Sequence, residues 1–348
     1  MASRDGYFPP ESVIRRVGNS PLVPLLGGGP AVLVQVAHPL VALGVVRHSD
    51  YRSDLWRRLL RTLRALYLIV YGSKEEAEDA GAAVRTVHAH VQGRTSERLG
   101  RFPAGTPYSA SDPALMLWVH ATLVETSLAA YGRFVGSLAP DEEERYYREM
   151  AIVGRLFGTP PAVIPARLAD FREYLRAQLS GPDLCVTGPA REVAAVILEA
   201  RLPPPLRLIG PAHRLSTAAL LPARLREEYG LGWSRAHAAA LAAAARSLRL
   251  AATPLLVAAR HLADRDRLFG VRDRRWIVSP RGAGERERRP RSLCRFRLSR
   301  SEAFRGPGSS SKGLRRSPLG AFPDGSSMRS TTRPCVTRSN ASKRRGRP

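Results

Sequence analysis

Cysteine and lysine are scarce in this chain, and acids and apolar pattern thin out in its last quarter. Three cysteines, Cys185, Cys294 and Cys335, provide neither a metal-ligand spacing nor a disulfide framework, so a reducing cytoplasm is the default expectation. Only Lys74, Lys312 and Lys343 stand among 55 basic residues, a skew that reads as GC-rich codon usage and not as a binding chemistry. The first sixteen residues mix Arg4, Asp5, Glu11, Arg15 and Arg16 with no apolar run behind a basic start, which is not the pattern of a secretory signal. The charge-free stretch 21–46 contains Pro21, Pro24, Gly27, Gly28, Gly29, Pro30 and Pro39. These argue against a single bilayer span and for a buried loop with a short helix.

Several chemistries lack their signatures. There is no HExxH, no paired ExxH of a di-iron bundle, no CxxCH for covalent haem and no GxSxG elbow. The Gly27–Gly29 run lacks the strand and spacing of a phosphate loop. A net charge of +25 would ordinarily suggest nucleic acid or an acidic membrane surface, but it is unevenly spread. Residues 271–348 hold 22 basic and 5 acidic side chains, with few aromatics among them and no recognition fold, so no specific nucleic-acid partner is expected. No transmembrane span is expected either, peripheral membrane contact is compatible with the charge, and nothing in the pattern specifies an oligomeric state.

What is present is helix. Apolar residues are 44% of the chain, enough for a large core, and residues 31–262 place Ala, Leu, Val and Arg at helical spacing without sustained two-residue alternation. Ser73 and Glu76 form a capping box opening a helix that Gly93 should end. Pro113 follows the cap Asp112, and the acidic turn 141–144 opens a helix running to Gly158. Further helices fit 165–179, 189–200 and 234–262. The reading is all-α: a single large helical domain over 18–264, preceded by an extension over 1–17 and followed by a disordered basic tail over 265–348 rich in Arg, Ser, Pro and Gly. The abrupt loss of pattern there also resembles out-of-frame translation of GC-rich DNA.

Candidate chemistry sits on three helices. Over 55–71, Leu55, Leu59, Leu63, Leu66 and Val70 share one arc, with Arg57 and Arg64 opposite and Arg58 and Thr62 at the rim. A cation and a hydroxyl one turn apart suit a carboxylate or bound oxygen; the plain alternative is a surface arginine and a tolerated threonine. In the next helix Ala77, Ala80, Val84, Val87 and Val91 form a stripe that includes His88 and leaves His90 pointing away. A histidine there is either a core residue or an imidazole presented into a dry pocket. His120 lies in a helix apolar on nearly all sides, where its polarity must find a partner. His38 and His48 bracket HPLVALGVVRHS.

Five blocks together, QVAHPLVALGVVRHSDYRSDLWRRLLRTLRALYLIVYGSKEEAE, AAVRTVHAHVQG, PYSASDPALMLWVHATLVETSLAAYGRF, ERYYREMAIVGRLFG and LADFREYL, resemble the MpaB-type and rubber oxygenase (latex clearing protein) family over about 18–262. The blocks look like its bacterial branch, long described as a domain of unknown function. The resemblance implies a helical haem pocket, globin-like in kind, and haem b as cofactor. It implies an oxygenase that attacks a carbon–carbon double bond of a small apolar substrate, isoprenoid, terpenoid or lipid-like, with O2. By the same resemblance His88 is the proximal iron ligand, with His120 and His38 as the alternatives. Arg58, Arg61 and Thr62 belong to the haem-pocket helix as catalytic candidates, Arg58 also as a cofactor contact. His38, His48 and His120 join the cofactor-binding set. Arg61 stands where latex clearing proteins carry a distal lysine, a departure from their pattern. Two rival readings are a non-catalytic haem- or lipid-binding helical protein and a nucleic-acid-binding protein acting through the tail.

Because the tail has too few apolar residues to bury area against a core, truncation after Ala263 should leave thermal unfolding unchanged. A lowered midpoint or broadened transition in calorimetry would show that the tail packs on the domain.

Overall fold

The structure is a computed structural model that describes residues 5–49, 55–199 and 210–262, without the side chains of 55–58 and 251–262; the tail expectation for 265–348 lies outside them. The described residues fall in one compact unit, Met1–Ser279. Among them are twelve α-helices and one short ribbon: α1 (Val13–Gly18), α2 (Leu22–Val36), α3 (Pro39–His48), α4 (Leu55–Tyr71), α5 (Lys74–Ala89), β1 (Gln92–Arg94), β2 (Pro107–Ser109), α6 (Pro113–Phe134), α7 (Pro140–Leu156), α8 (Leu168–Ser180), α9 (Gly188–Leu198), α10 (Gly210–Leu220), α11 (Ala223–Glu228) and α12 (Arg235–Leu262). The chain is all-α, as its periodicity requires.

The helix starts follow local chemistry. Ser73 Oγ accepts from Glu76 N at 3.2 Å and Glu76 Oε2 accepts from Ser73 N at 2.9 Å, closing the capping box of α5. The Asp112 carboxylate accepts from Ala114 N and Leu115 N to open α6. α1 is capped from a distance: Ser12 makes no side-chain cap, and Glu149 of α7 accepts instead from Val13 N at 3.4 Å and Ile14 N at 2.6 Å. α7 ends where Gly158 turns to φ 101°, the left-handed geometry glycine supplies at a helix end.

Two expectations need correction. α5 stops at Ala89, and Gly93 lies in β1 opposite Tyr108. A Cβ on Gly93 would sit 2.7 Å from the Tyr108 hydroxyl, so this glycine makes room for a ring and is not a helix terminator. The stretch 21–46 is also not a loop with one short helix. It folds as α2 and α3, which meet at 108° across Ala37 and His38, with the three glycines and Pro30 inside α2.

α2 survives these helix breakers because α6 and α10 supply what it lacks. A Cβ on Gly27 would lie 3.0 Å from Ala130 Cβ on α6, and one on Gly29 would lie 2.5 Å from Thr217 Oγ1 and 2.9 Å from His213 Cε1 on α10. The glycines therefore permit backbone-close packing on two sides. Pro30 has no N–H, which orphans the carbonyl of Leu26; Ser216 Oγ reaches that oxygen at 3.1 Å, sharing its hydrogen with His213 O at 2.9 Å. His213 Nδ1 donates to Leu25 O at 3.0 Å. At the other end Trp118 Nε1 donates to Gln35 O, Tyr229 Oη to Leu33 O and Cys185 N to Ala37 O, so the carbonyls of the corner are served by three different elements.

α6 is long and apolar enough to cross a membrane by length and composition, but 56% of its apolar window is buried within the fold. With Trp118, Phe134, Val124 and Ala121 almost fully buried, it is a central helix of the core.

The glycine run separates packing from propensity. Gly28 has nothing within 4 Å of an added Cβ, so Gly28→Ala should stabilise by about 0.5–1 kcal/mol, the ordinary helix gain. Gly29→Ala should instead destabilise by about 1–3 kcal/mol through overpacking, and Gly27→Ala by less. Urea midpoints of the three variants check the order; equal effects would mean that α2 does not approach α10 so closely.

Candidate functional site

α4 and α5 form an antiparallel hairpin about the turn at Gly72 and Ser73. Counting the helical rise from that turn, Arg58 and His88 both stand roughly 21–22 Å away and Thr62 roughly 15 Å. The two helices thus bring the backbone of Arg58 level with His88. The Arg57 and Arg58 side chains lie outside the described residues; Arg61 and Thr62 are exposed. Arg64, expected opposite the apolar arc, is half-buried with its Nε shielded from solvent. The arc rotates because Leu68, Ile69 and Val70, consecutive in sequence, are all buried at the end nearest the turn.

The α5 stripe is narrower than its sequence suggests. Ala77, Ala80 and Gly81 are buried, Val84 and His88 are half-buried, and Val87 is 63% exposed. Gly81 is the reason the first half of α5 sits so deep: a Cβ there would meet the Leu156 carbonyl of α7 at 2.5 Å, and Arg85 donates to the same oxygen. Beyond Arg85 the helix outruns α7, and His88 emerges at the margin of the core. Its Nδ1 is shielded and has no hydrogen-bond partner, and burial holds its pKa below the ordinary value. His90 is exposed and donates from Nδ1 to Thr86 O at 2.7 Å. Leu60, 54% exposed, stands at the same end of the hairpin.

The other histidines occupy separate surroundings. His38 caps α3 at the α2–α3 corner, its ring 5.4 Å from that of Phe102 and its Nδ1 buried without a partner. Asp183, Arg101 and Asp112 face it, and Arg101 holds Asp183 at 2.5 Å. His48 is exposed, with Nε2 3.0 Å from the Tyr108 hydroxyl. His120 is 4% exposed, between α6 and α7. A Cβ on Gly158 would touch both Arg85 and Met116, which puts those two residues at one level of the antiparallel α5 and α6. His88 and His120, leading away from it in opposite directions, are therefore roughly 10 Å apart along the bundle. Among the described residues no three His, Cys, Asp or Glu side chains converge on a point that could hold a metal ion. The histidines do not make one cage, and a metal here would have to bring most of its own ligands.

Residues 15–250 match the family described as ER-bound oxygenase mpaB/B′/rubber oxygenase, catalytic domain. The chain belongs to that family. It carries an oxygenase-type catalytic domain, spanning every described helix from α2 to α11 and most of α12. Two curated relatives, uncharacterized proteins of Mycobacterium bovis and Mycobacterium tuberculosis, are each 27% identical over 212 residues, covering 59% of this chain and 80% of theirs. No solved structure matches the chain.

Several residues that shape this oxygenase domain carry weak sequence signals. Gly81 and Gly154, glycines inside helices, flag close approaches, whereas Phe102, Tyr108 and Asp183 reach the histidines only through the fold.

Burial sets an acid limit on stability. The pKa of His38 and of His120 is pushed down to about 4 from 6.5, by burial first. Between those values the unfolded chain binds more protons than the native one, so stability falls as pH drops through 6.5 toward 4. At pH 4.5 each histidine should cost about 2 kcal/mol relative to pH 7. His38→Gln should flatten the dependence of the urea midpoint on pH by about one proton's worth; an unchanged slope would show that His38 is protonated in the native state.

Proposed function

We propose that this domain is a haem b-dependent oxygenase acting on a double bond of a small apolar substrate, isoprenoid, terpenoid or lipid-like, with His88 as the proximal ligand of the iron. The observation that carries the reading is the setting of His88: an imidazole at the edge of the core, its Nδ1 shielded and unpartnered, beside apolar surface left open at Val87 and Leu60. Exposed apolar side chains next to an unpartnered imidazole suit a flat, mostly apolar group that would take one nitrogen ligand from the protein. His120 and His38 fit that group less well. The ring of His120 is covered by α7 at Gly154 and that of His38 by Phe102.

Haem, when bound, supplies the binding and activation of O2. The chain's own part is positional. His88, carried on the helix whose first half is buried at Ala77, Ala80 and Gly81, would hold the iron. Arg58, whose backbone on α4 is level with it, would supply a cation to a propionate or to oxygen, and Thr62, one turn on, would supply a hydroxyl. Arg61 cannot lose its proton and so cannot serve as a neutral nitrogen ligand in the way a lysine can.

Purified full-length protein supplemented with haem should show a Soret band. His88→Ala should abolish it or strongly reduce it, and His90→Ala should leave it intact. Arg58→Ala should lower haem content, by about 1–3 kcal/mol of binding if it pairs with a propionate. Thr62→Ala should keep haem and slow turnover, and Arg57→Ala should change little. A band that survives His88→Ala, or one never seen in the wild type, would sink this reading.

A further inference from the structure

His120 is a buried polar group that its own helix does not serve. The neighbouring polar side chains of α6 satisfy themselves on backbone: Thr122 Oγ1 donates to Val119 O at 2.7 Å, Thr126 Oγ1 to Thr122 O at 2.6 Å, and Trp118 Nε1 to Gln35 O at 3.1 Å. His120 Nε2 is shielded from solvent and has no hydrogen-bond partner. Buried polar atoms are nearly always paired in native proteins, and the exceptions cluster at sites of function or of internal water.

The ring is also held in place. A Cβ on Gly154 would lie 3.0 Å from its Cε1 and 3.1 Å from both Nδ1 and Nε2. Near-equal distances to three ring atoms mean that the imidazole lies face-on against α7, where a side chain in place of Gly154 would displace it. Glycine in the middle of a helix is costly, and this contact is its structural reason. Burial is the single resolved influence on the titration of His120, with no charged neighbour contributing. The nitrogen thus faces a neutral setting, in a stretch of α6 and α7 that buries Leu117, Ala121, Val124 and Val153.

We propose that His120 is a specificity-determining residue of the oxygenase described above, its Nε2 binding the hydroxyl of an otherwise apolar substrate. A hydroxyl can donate or accept and so satisfies either tautomer of a neutral imidazole, whereas an ionised headgroup would be stripped of water with no counter-charge. His120 lies roughly 10 Å from His88 along the bundle, so a hydroxyl anchored there holds a carbon several bonds away at the level of His88. The spacing between hydroxyl and double bond, and not the double bond alone, then selects the substrate. This rests on the reading of His88 for its reaction, but its binding claim has its own readout.

Calorimetric titration of the full-length protein with 1-octanol, and thermal shift with octane, give an alcohol-to-alkane affinity ratio. His120→Phe should lower that ratio about three- to tenfold, the worth of one hydrogen bond, and His120→Gln should restore part of it. Gly154→Ala, which keeps the imidazole but displaces it, should lower the ratio as well and carries the test should His120→Phe fail to fold. A ratio unchanged in both His120→Phe and Gly154→Ala overturns the proposal and leaves Nε2 to an internal water. The Soret band of the same variants reports on His88 separately, so either reading can fail without the other.

Discussion

The close approach of α10 and α6 to α2 is the contact on which the rest of the domain depends. Gly27 and Gly29 remove the side chains that would hold the helices apart, and the resulting backbone proximity lets Ser216 and His213 reach the carbonyls of Leu26 and Leu25. Without Ser216, the carbonyl orphaned by Pro30 would be buried unpaired, at about 1–3 kcal/mol. Glycine, proline and serine on two helices far apart in sequence are therefore one structural device. It explains how a segment with poor intrinsic helicity can run through the middle of the core.

From that strut the corner at His38 follows. α2 ends where Tyr229, Trp118 and Cys185 take its last carbonyls, and α3 leaves at 108° with Pro39 at its first position. The same corner sets His38 beneath Phe102, and the ribbon that carries Tyr108 meets His48. Across the bundle, Gly81 and Gly154 let α5 and α6 lie against α7, which buries His120 and leaves His88 at the margin. Close helix contacts thus decide how deep each imidazole sits, His120 buried and His88 half-buried.

The polar economy of the core sharpens that contrast. Threonines and tryptophan of α6 spend their donors on nearby carbonyls and become structural. Imidazoles cannot do this as readily, because a ring with two distinct nitrogens usually serves only one through local backbone. The nitrogens left over on His38, His88 and His120 are shielded and unpartnered, and each sits in a different setting of charge and access.

Periodicity and caps in the sequence were enough to determine the helical class, the starts of α5, α6 and α7, and the end of α7 at Gly158, because each depends on residues within a few positions of one another. The ordered blocks around His38, Arg58, His88 and His120 were likewise enough to point to the oxygenase family. What only the tertiary structure decided was the outcome at Gly27–Pro30, the reach of α5, and the orientation of the α4 and α5 faces. Local rules count glycine and proline as breaks, and they cannot see that Ser216 supplies the missing hydrogen bond or that Tyr108 needs the space at Gly93. They also assign Val87 and His88 to one stripe, whereas α7 ends before it can cover them. Burial at a helix margin depends on where the neighbouring helix stops, and that length is written elsewhere in the chain.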